Sequence, residues 1–163
     1  MRFVFDSGPL IYLGKTRVLE HLRNLATECI IPEQVYNEVV RAGKDLGKDD
    51  ALYIDSLIKE GIFVVQDSSK VFDASHPTLS LADQEVLHLA KESKAIAVID
   101  EDIGRATAEV LGVSTKGSIG ILLVLVNNRI LSKKECQAIV LQMIDHGWYC
   151  STDLYSLIME KVR

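Results

Sequence analysis

The chain has 163 residues and a formal charge of −5 at pH 7, with 18 Lys and Arg against 23 Asp and Glu. This length predicts one domain over residues 1–163, and the 48% hydrophobic content supports an ordinary core and excludes a disordered chain. The acidic balance argues against a module that coats nucleic acid with its own cations, so a polyanionic partner has to be met locally or through a bound cation.

Short β-rich runs alternate with segments of helical period, a pattern that predicts parallel strands joined by helical crossovers. The predicted strands are residues 2–5, 29–31, 62–66, 95–99 and 113–115. The predicted helices are residues 9–14, 17–26, 32–41, 50–60, 81–92, 102–111, 118–127, 133–146 and 152–161. Polar stretches at 43–50 and 67–78 are expected to be surface loops. The expected fold class is α/β, a three-layer α/β/α sandwich with a mainly parallel sheet of about five strands.

Membrane insertion and export are not expected. The longest apolar run, 119–126, is far shorter than the roughly 20 residues that a bilayer requires. Asp6 interrupts the N-terminal apolar run too early for a signal peptide. Three cysteines without a Cys-x-x-Cys spacing indicate reduced thiols in a cytoplasmic protein rather than zinc ligands.

Two acidic residues directly follow predicted strands. Asp6 comes after the first strand and Asp100 after the fourth. In open parallel sheets the functional crevice lies beyond the carboxyl ends of the strands, where the strand order reverses, so these carboxylates would meet if the two strands are neighbours. The alternative is that each is a turn or capping residue, because Asp is favoured at such junctions.

Glu38 lies at the edge of an apolar stripe on the predicted helix 32–41. At 100° per residue it is about 60° from Val35, which belongs to that stripe. This position is compatible with a functional carboxylate at a boundary, and equally with an ordinary half-exposed glutamate.

Asp83 heads an apolar face of the predicted helix 81–92, since the positions three, four and seven residues later are all apolar. The competing interpretation is a capping box, in which Asp83 reaches back to the backbone N–H of Ser80. Glu85 lies about 200° away from Asp83 around the helix and is expected to face solvent.

A cluster of three or four such acids would bind protons or require a cation. Two carboxylates 4 Å apart repel by about 4 kcal/mol at an effective dielectric constant near 20. Oxygen donors without a cysteine or histidine cage favour Mg²⁺ or Mn²⁺ over zinc.

Four segments, residues 4–11, 31–39, 79–87 and 98–105, together resemble, in this order, the acidic motifs of PIN-domain nucleases. The VapC-like prokaryotic and archaeal subgroup is the most similar, and residues 114–122 are similar to the segment that follows the last strand there. The resemblance covers residues 2–126, and residues 130–163 are expected to form a C-terminal helical extension of the same domain.

The resemblance implies a PIN-like fold and a ribonuclease that hydrolyses phosphodiester bonds of single-stranded RNA with Mg²⁺ or Mn²⁺. It also implies a toxin paired with an antitoxin protein, and a homodimer. The residues that match the catalytic, metal-binding tetrad are Asp6, Glu38, Asp83 and Asp100, with Glu101 or Asp102 as a further residue that assists the metal. Two positions depart from the pattern: Gly8 stands where many relatives have Ser or Asn, and Asp83 where many have Glu, whose longer reach favours direct ligation.

Four further residues are candidates for contact with RNA or phosphate, namely Arg105, Ser7, Ser118 and Lys15. Arg105 follows the fourth motif and is the preferred candidate among the cations, although each cation is also explained as a solvated surface charge. Ser118 would alternatively cap the helix that begins there.

Three questions stay open in the sequence. The apolar helical spacing beyond residue 130 indicates either packing against the sheet or a surface for a second subunit or an antitoxin. A catalytically silent PIN scaffold that acts as a binding module would retain the same motifs. A phospho-receiver signalling domain has a comparable sheet, and would use Asp6, Asp67 and Lys116.

Overall fold

The computed structural model describes residues 1–25, 28–68 and 79–163. Within these ranges five strands form one all-parallel sheet in the order β3-β2-β1-β4-β5. The strands are β1 (Arg2–Phe5), β2 (Glu28–Pro32), β3 (Phe63–Gln66), β4 (Ile96–Val98) and β5 (Thr115–Lys116). The predicted α/β class and parallel five-stranded sheet are confirmed, with each strand displaced by at most two residues.

Helices flank this sheet. The α-helices of the described residues are α1 (Ser7–Lys15), α2 (Glu33–Tyr36), α3 (Ala42–Asp45), α4 (Asp49–Lys59), α5 (Leu81–Glu92), α6 (Asp102–Val110), α7 (Ser118–Asn127), α8 (Lys133–Asp145) and α9 (Thr152–Lys161). Within the same ranges, no helix is both long and apolar enough to cross a membrane.

Two predicted helices differ from what the structure shows. The segment predicted as helix 17–26 contains a 3₁₀ helix over Leu19–Leu25, and its last residue lies outside the described residues. The helix predicted at 32–41 is α2 followed by a π-helical segment, Asn37–Arg41, which continues directly into α3. Helical backbone therefore extends into the predicted loop 43–50. Of the other predicted loop, residues 69–78 lie outside the described residues.

β1 occupies the centre of the sheet and the core. Phe3, Val4 and Phe5 are fully buried, and the Phe5 ring packs edge-on against that of Phe63 with 5.3 Å between centroids. A strand covered on both faces by helices needs such a continuous apolar run rather than alternation. The polar residue that follows it, Asp6, therefore lies at the end of a strand whose last three residues are fully buried.

The sheet topology also places the functional crevice. β1 and β4 are neighbours, with Phe5 paired to Val98, and the backbone N–H of Asp6 donates to the Val98 carbonyl at 3.0 Å. The strand order runs in opposite directions from this pair, which makes the gap between β1 and β4 the switch point at which open parallel sheets bind ligands. Asp6 and Asp100 both follow strands at this edge.

Candidate active site

Asp6 is the buried acid at the centre of the site. It is 6% exposed and stands at the N-cap position of α1, where its side chain makes no capping hydrogen bond. Burial raises the pKa of Asp6 from 3.8 to about 7, opposed by a hydrogen bond from the backbone N–H of Ser7. The carboxylates of Asp83, Glu101 and Asp100 raise this pKa further by repulsion. The structure thus brings three acids of the predicted tetrad together.

Asp100 is held by donors from two distant parts of the chain. The backbone N–H of Ser118 donates to Oδ1 and the Ser118 hydroxyl to Oδ2, each at 2.7 Å. The indole N–H of Trp148 also donates to Oδ2, at 3.1 Å. A Cβ on Gly117 would lie 2.9 Å from Oδ1, so this close approach requires glycine. Asp100 is therefore fixed in one orientation beside the switch point.

Glu38, the fourth acid of the predicted tetrad, reaches the site through Ser7. The Ser7 hydroxyl donates to Oε2 of Glu38 at 3.4 Å, and the Gln34 side-chain amide donates to Oε1 at 3.3 Å. Glu38 lies in the π-helical segment and is exposed. π-Helical turns occur frequently at functional sites, because the extra residue changes the direction of the side chains.

Asp83 is both a capping residue of α5 and a member of the acidic cluster. Its Oδ2 accepts the backbone N–H of Ser80 at 3.1 Å, while the Ser80 hydroxyl accepts the N–H of Asp83, which is a complete capping box at the start of α5. The same carboxylate is close enough to Asp6 to raise the pKa of that residue. Capping therefore anchors Asp83 without removing it from the acidic cluster.

The prediction that Glu85 faces solvent is wrong. Glu85 is buried, and one of its carboxylate oxygens accepts the backbone N–H of Gln34 at 3.0 Å. The helical-wheel argument failed because α5 packs against both the sheet and α2, so two of its faces are covered. Burial raises the pKa of Glu85, the Gln34 N–H lowers it, and repulsion from Asp67, Glu33 and Glu38 raises it again.

The two candidates after Asp100 occupy different positions. Glu101 is the N-cap residue of α6 and Asp102 begins its first turn, and both are exposed. Glu101 is the one whose charge raises the pKa of Asp6. Which of the two residues assists the metal stays a prediction.

Two of the predicted phosphate-contacting residues have different surroundings, since Arg105 is exposed and Ser118 is buried. Arg105 is exposed on α6, and its Nη1 lies 3.8 Å from the position of a Cβ on Gly117, beside the Asp100 loop. The Ser118 hydroxyl, by contrast, is buried and donates to Asp100, which corrects the expectation that it contacts phosphate or caps α7.

Lys15 is not part of the acidic cluster. It ends α1, nine residues long, whereas Asp6 precedes that helix, so the two are separated by about 13 Å along the axis. Its ammonium group lies 3.8 Å from a carboxylate oxygen of Asp50. Lys15 therefore lies away from the acids, and its contact with RNA stays a prediction.

Comparison with protein families identifies the fold. The family model described as "DUF3368: PIN domain" matches residues 2–163. The chain belongs to the PIN-domain family. The match includes residues 130–163, so the C-terminal segment is part of the PIN domain described by that model. No curated protein matches the chain significantly.

Two solved structures that are similar to this PIN domain are the following. A PilT N-terminus domain protein from Sulfolobus solfataricus has a TM-score of 0.52 and 16% identity, covering 93% of this chain and 100% of that one. A domain of a functionally unknown protein from Methanocaldococcus jannaschii has a TM-score of 0.47 and 17% identity, with 71% and 89% covered. At such identity the first likeness shows the PIN-like fold alone.

The topology of this PIN domain separates it from phospho-receiver domains. In receivers the third strand lies beside the first, which brings its acid into the site. Here β2 intervenes between β1 and β3, so Asp67, directly after β3, is two strands away from Asp6.

The acids of the PIN domain do not form a closed metal cage. Among the described residues, no three His, Cys, Asp or Glu side chains form a group that could hold an ion. Mg²⁺ does not require such a cage, since it keeps several waters and binds through one or two carboxylates. Asp6 is a buried carboxylate among like charges, and Oδ1 of Asp100 has a second acceptor site beyond the Ser118 N–H. This donor set fits a hard divalent ion.

Proposed function

We propose that this PIN domain is a divalent-metal-dependent ribonuclease that hydrolyses phosphodiester bonds of single-stranded RNA. PIN domains are usually nucleases. The observation that carries the proposal is the burial of Asp6 against the charges of three further acids, which raises its pKa to about 7. A cation among them relieves this repulsion and attracts phosphate, whereas a proton on Asp6 only neutralises that one carboxylate.

Each acid has a distinct role in the proposal. Asp6 and Asp100 are the direct ligands of Mg²⁺ or Mn²⁺, while Glu38 and Asp83 hold the ion or its water shell. Asp83 is shorter than the glutamate common at this position and is tied to Ser80, which favours contact through water. The ion, when bound, neutralises phosphate charge and lowers the pKa of water for in-line attack.

Other residues arrange the substrate. Ser7 orients Glu38 through their hydrogen bond, and Ser118 fixes Asp100. Arg105, exposed beside the Asp100 loop, is placed to contact an RNA phosphate. The acidic pocket repels RNA when it is empty, and a bound ion would offset part of that charge and provide a cation for phosphate.

The test is cleavage of a mixed pool of single-stranded RNA. We expect cleavage with Mn²⁺ and none with EDTA, and Asp6→Asn should abolish it. Lys15→Gln, at the far end of α1, is the matched control and should cleave normally. Activity that survives both EDTA and Asp6→Asn would refute the proposal, and inactivity of the native chain with Mn²⁺ would favour a silent scaffold.

The resemblance to VapC-like nucleases extends the proposal to partners and to the compartment. We infer a cytoplasmic toxin that is restrained by an antitoxin protein and forms a homodimer. Growth arrest on expression of the native chain, absent for Asp6→Asn, would support a toxin. A monomeric mass in light scattering would contradict the homodimer.

A further inference from the structure

One side chain of the C-terminal segment, that of Trp148, contacts an acid of the site. α8 ends at Asp145 with His146 as its C-cap residue, and Gly147 then adopts a φ of +98°, in the region that favours glycine. The N–H of Gly147 donates to the Ile144 carbonyl and that of Trp148 to the Met143 carbonyl, both at 2.9 Å. These two bonds form a Schellman motif, which fixes the backbone at Trp148.

The Trp148 side chain is buried and also donates a hydrogen bond. It is 8% exposed, and its indole N–H donates to Oδ2 of Asp100 at 3.1 Å. The same oxygen accepts the Ser118 hydroxyl at 2.7 Å, so two donors use its two acceptor sites. Packing alone would be met equally by phenylalanine, whereas the N–H requires an acceptor, and that acceptor is an acid of the site.

We propose that Trp148 is a positioning residue for Asp100: its indole N–H and the Ser118 hydroxyl occupy Oδ2, which leaves Oδ1 as the oxygen offered to the divalent ion. This inference rests on the proposed function. An indole has no acceptor in its plane and cannot become a metal ligand itself, so Trp148 acts only through Asp100. Donors of this kind orient metal-binding carboxylates in many sites.

The role of Trp148 makes the C-terminal segment part of the active site. Trp148 is 48 residues from Asp100 in sequence, and Ser118 approaches the same carboxylate from the start of α7. Removing the segment should therefore weaken ion binding, even though the four acids all precede residue 101.

The test measures Mn²⁺ affinity rather than activity. Trp148→Phe retains an aromatic ring and removes the N–H. Tyr149→Phe is the matched control, because Tyr149 is the adjacent residue and 85% exposed. Free Mn²⁺ is counted by electron paramagnetic resonance for both variants, the native chain and Asp6→Asn, and thermal unfolding checks that each is folded. We expect Trp148→Phe to bind Mn²⁺ about 10-fold more weakly, and Tyr149→Phe to bind as the native chain does.

A second readout needs no variant of Trp148. It is the sole tryptophan of the chain, so emission excited selectively from the indole reports on the surroundings of Trp148, the Asp100 hydrogen bond included. Mg²⁺ should change that emission with the same dissociation constant that its competition with Mn²⁺ gives, and Asp6→Asn should abolish the change. A residue that only packs would give a lower unfolding temperature in Trp148→Phe, with native Mn²⁺ affinity and an emission indifferent to Mg²⁺.

The outcomes separate the two proposals. Asp6-dependent Mn²⁺ binding that Trp148→Phe leaves unchanged would overturn the positioning role and leave the proposed function standing. Absence of Asp6-dependent binding in the native chain would overturn both. If Trp148→Phe does not fold, the emission of the native chain decides: a response to Mg²⁺ that requires Asp6 supports the role, and no response overturns it.

Discussion

Asp6 should make the stability of the metal-free protein fall as the pH rises. The pKa of this carboxyl is about 7 in the folded chain and 3.8 in its ordinary state. Between these values the folded chain holds a proton that the unfolded chain has lost. The stabilisation by that proton is complete below pH 3.8 and is lost as the pH rises through 7. At 1.36 kcal/mol per pKa unit, the full effect is about 4 kcal/mol.

Asp6→Asn removes this dependence, because the amide is neutral at every pH and still accepts the Ser7 N–H. Between pH 5 and 8 in EDTA, the native chain should lose about 3 kcal/mol of unfolding free energy that the variant retains. For a chain of this size that corresponds to about 10 °C in Tm. Urea unfolding at both pH values measures the difference, and Asp153→Asn, at an exposed helix start, is the control. Parallel pH dependences of the native and Asp6→Asn chains would contradict a raised pKa of Asp6.

Three further predictions follow from the site. Gly117→Ala should abolish RNA cleavage, because the added Cβ would lie 2.9 Å from Oδ1 of Asp100. Gly8→Ala should cleave normally, because a Cβ there would have no atom within 4 Å. Arg105→Gln should weaken RNA binding in a salt-dependent way, and equal effects of Lys15→Gln would contradict the placement of the two cations. Glu85→Gln should raise the Tm in EDTA, and more at pH 8 than at pH 5. The pKa of Glu85 is raised in the folded chain, so its ionised form destabilises the fold, and more of that form is present at pH 8.

Local patterns predicted most of the secondary structure. α5, α7 and α9 begin and end where helical periodicity and capping residues place them, and Ser80 and Asp83 form the capping box that their spacing allows. Asp6 and Asp100 follow from the general position of sites in parallel sheets. These features depend on residues close together in sequence, or on a rule of topology, so one sequence suffices to find them.

The errors arise where tertiary contacts decide. Glu85 was assigned to solvent because one helix has no information about α2, which covers its second face. The sequence around Trp148 does not indicate its role, because its hydrogen-bond acceptor, Asp100, lies 48 positions away. Lys15 was grouped with the site by proximity in sequence to Asp6, yet a helix of nine residues carries it to the opposite end.

The most direct test of the account is a crystal of the native chain soaked in Mn²⁺ and measured by anomalous scattering. We expect a manganese peak at coordination distance from the Asp6 carboxylate and Oδ1 of Asp100, and we expect it to vanish in Asp6→Asn. A native crystal with no peak at Asp6, or with its manganese bound only elsewhere, would contradict the claim that these acids assemble to hold a divalent ion.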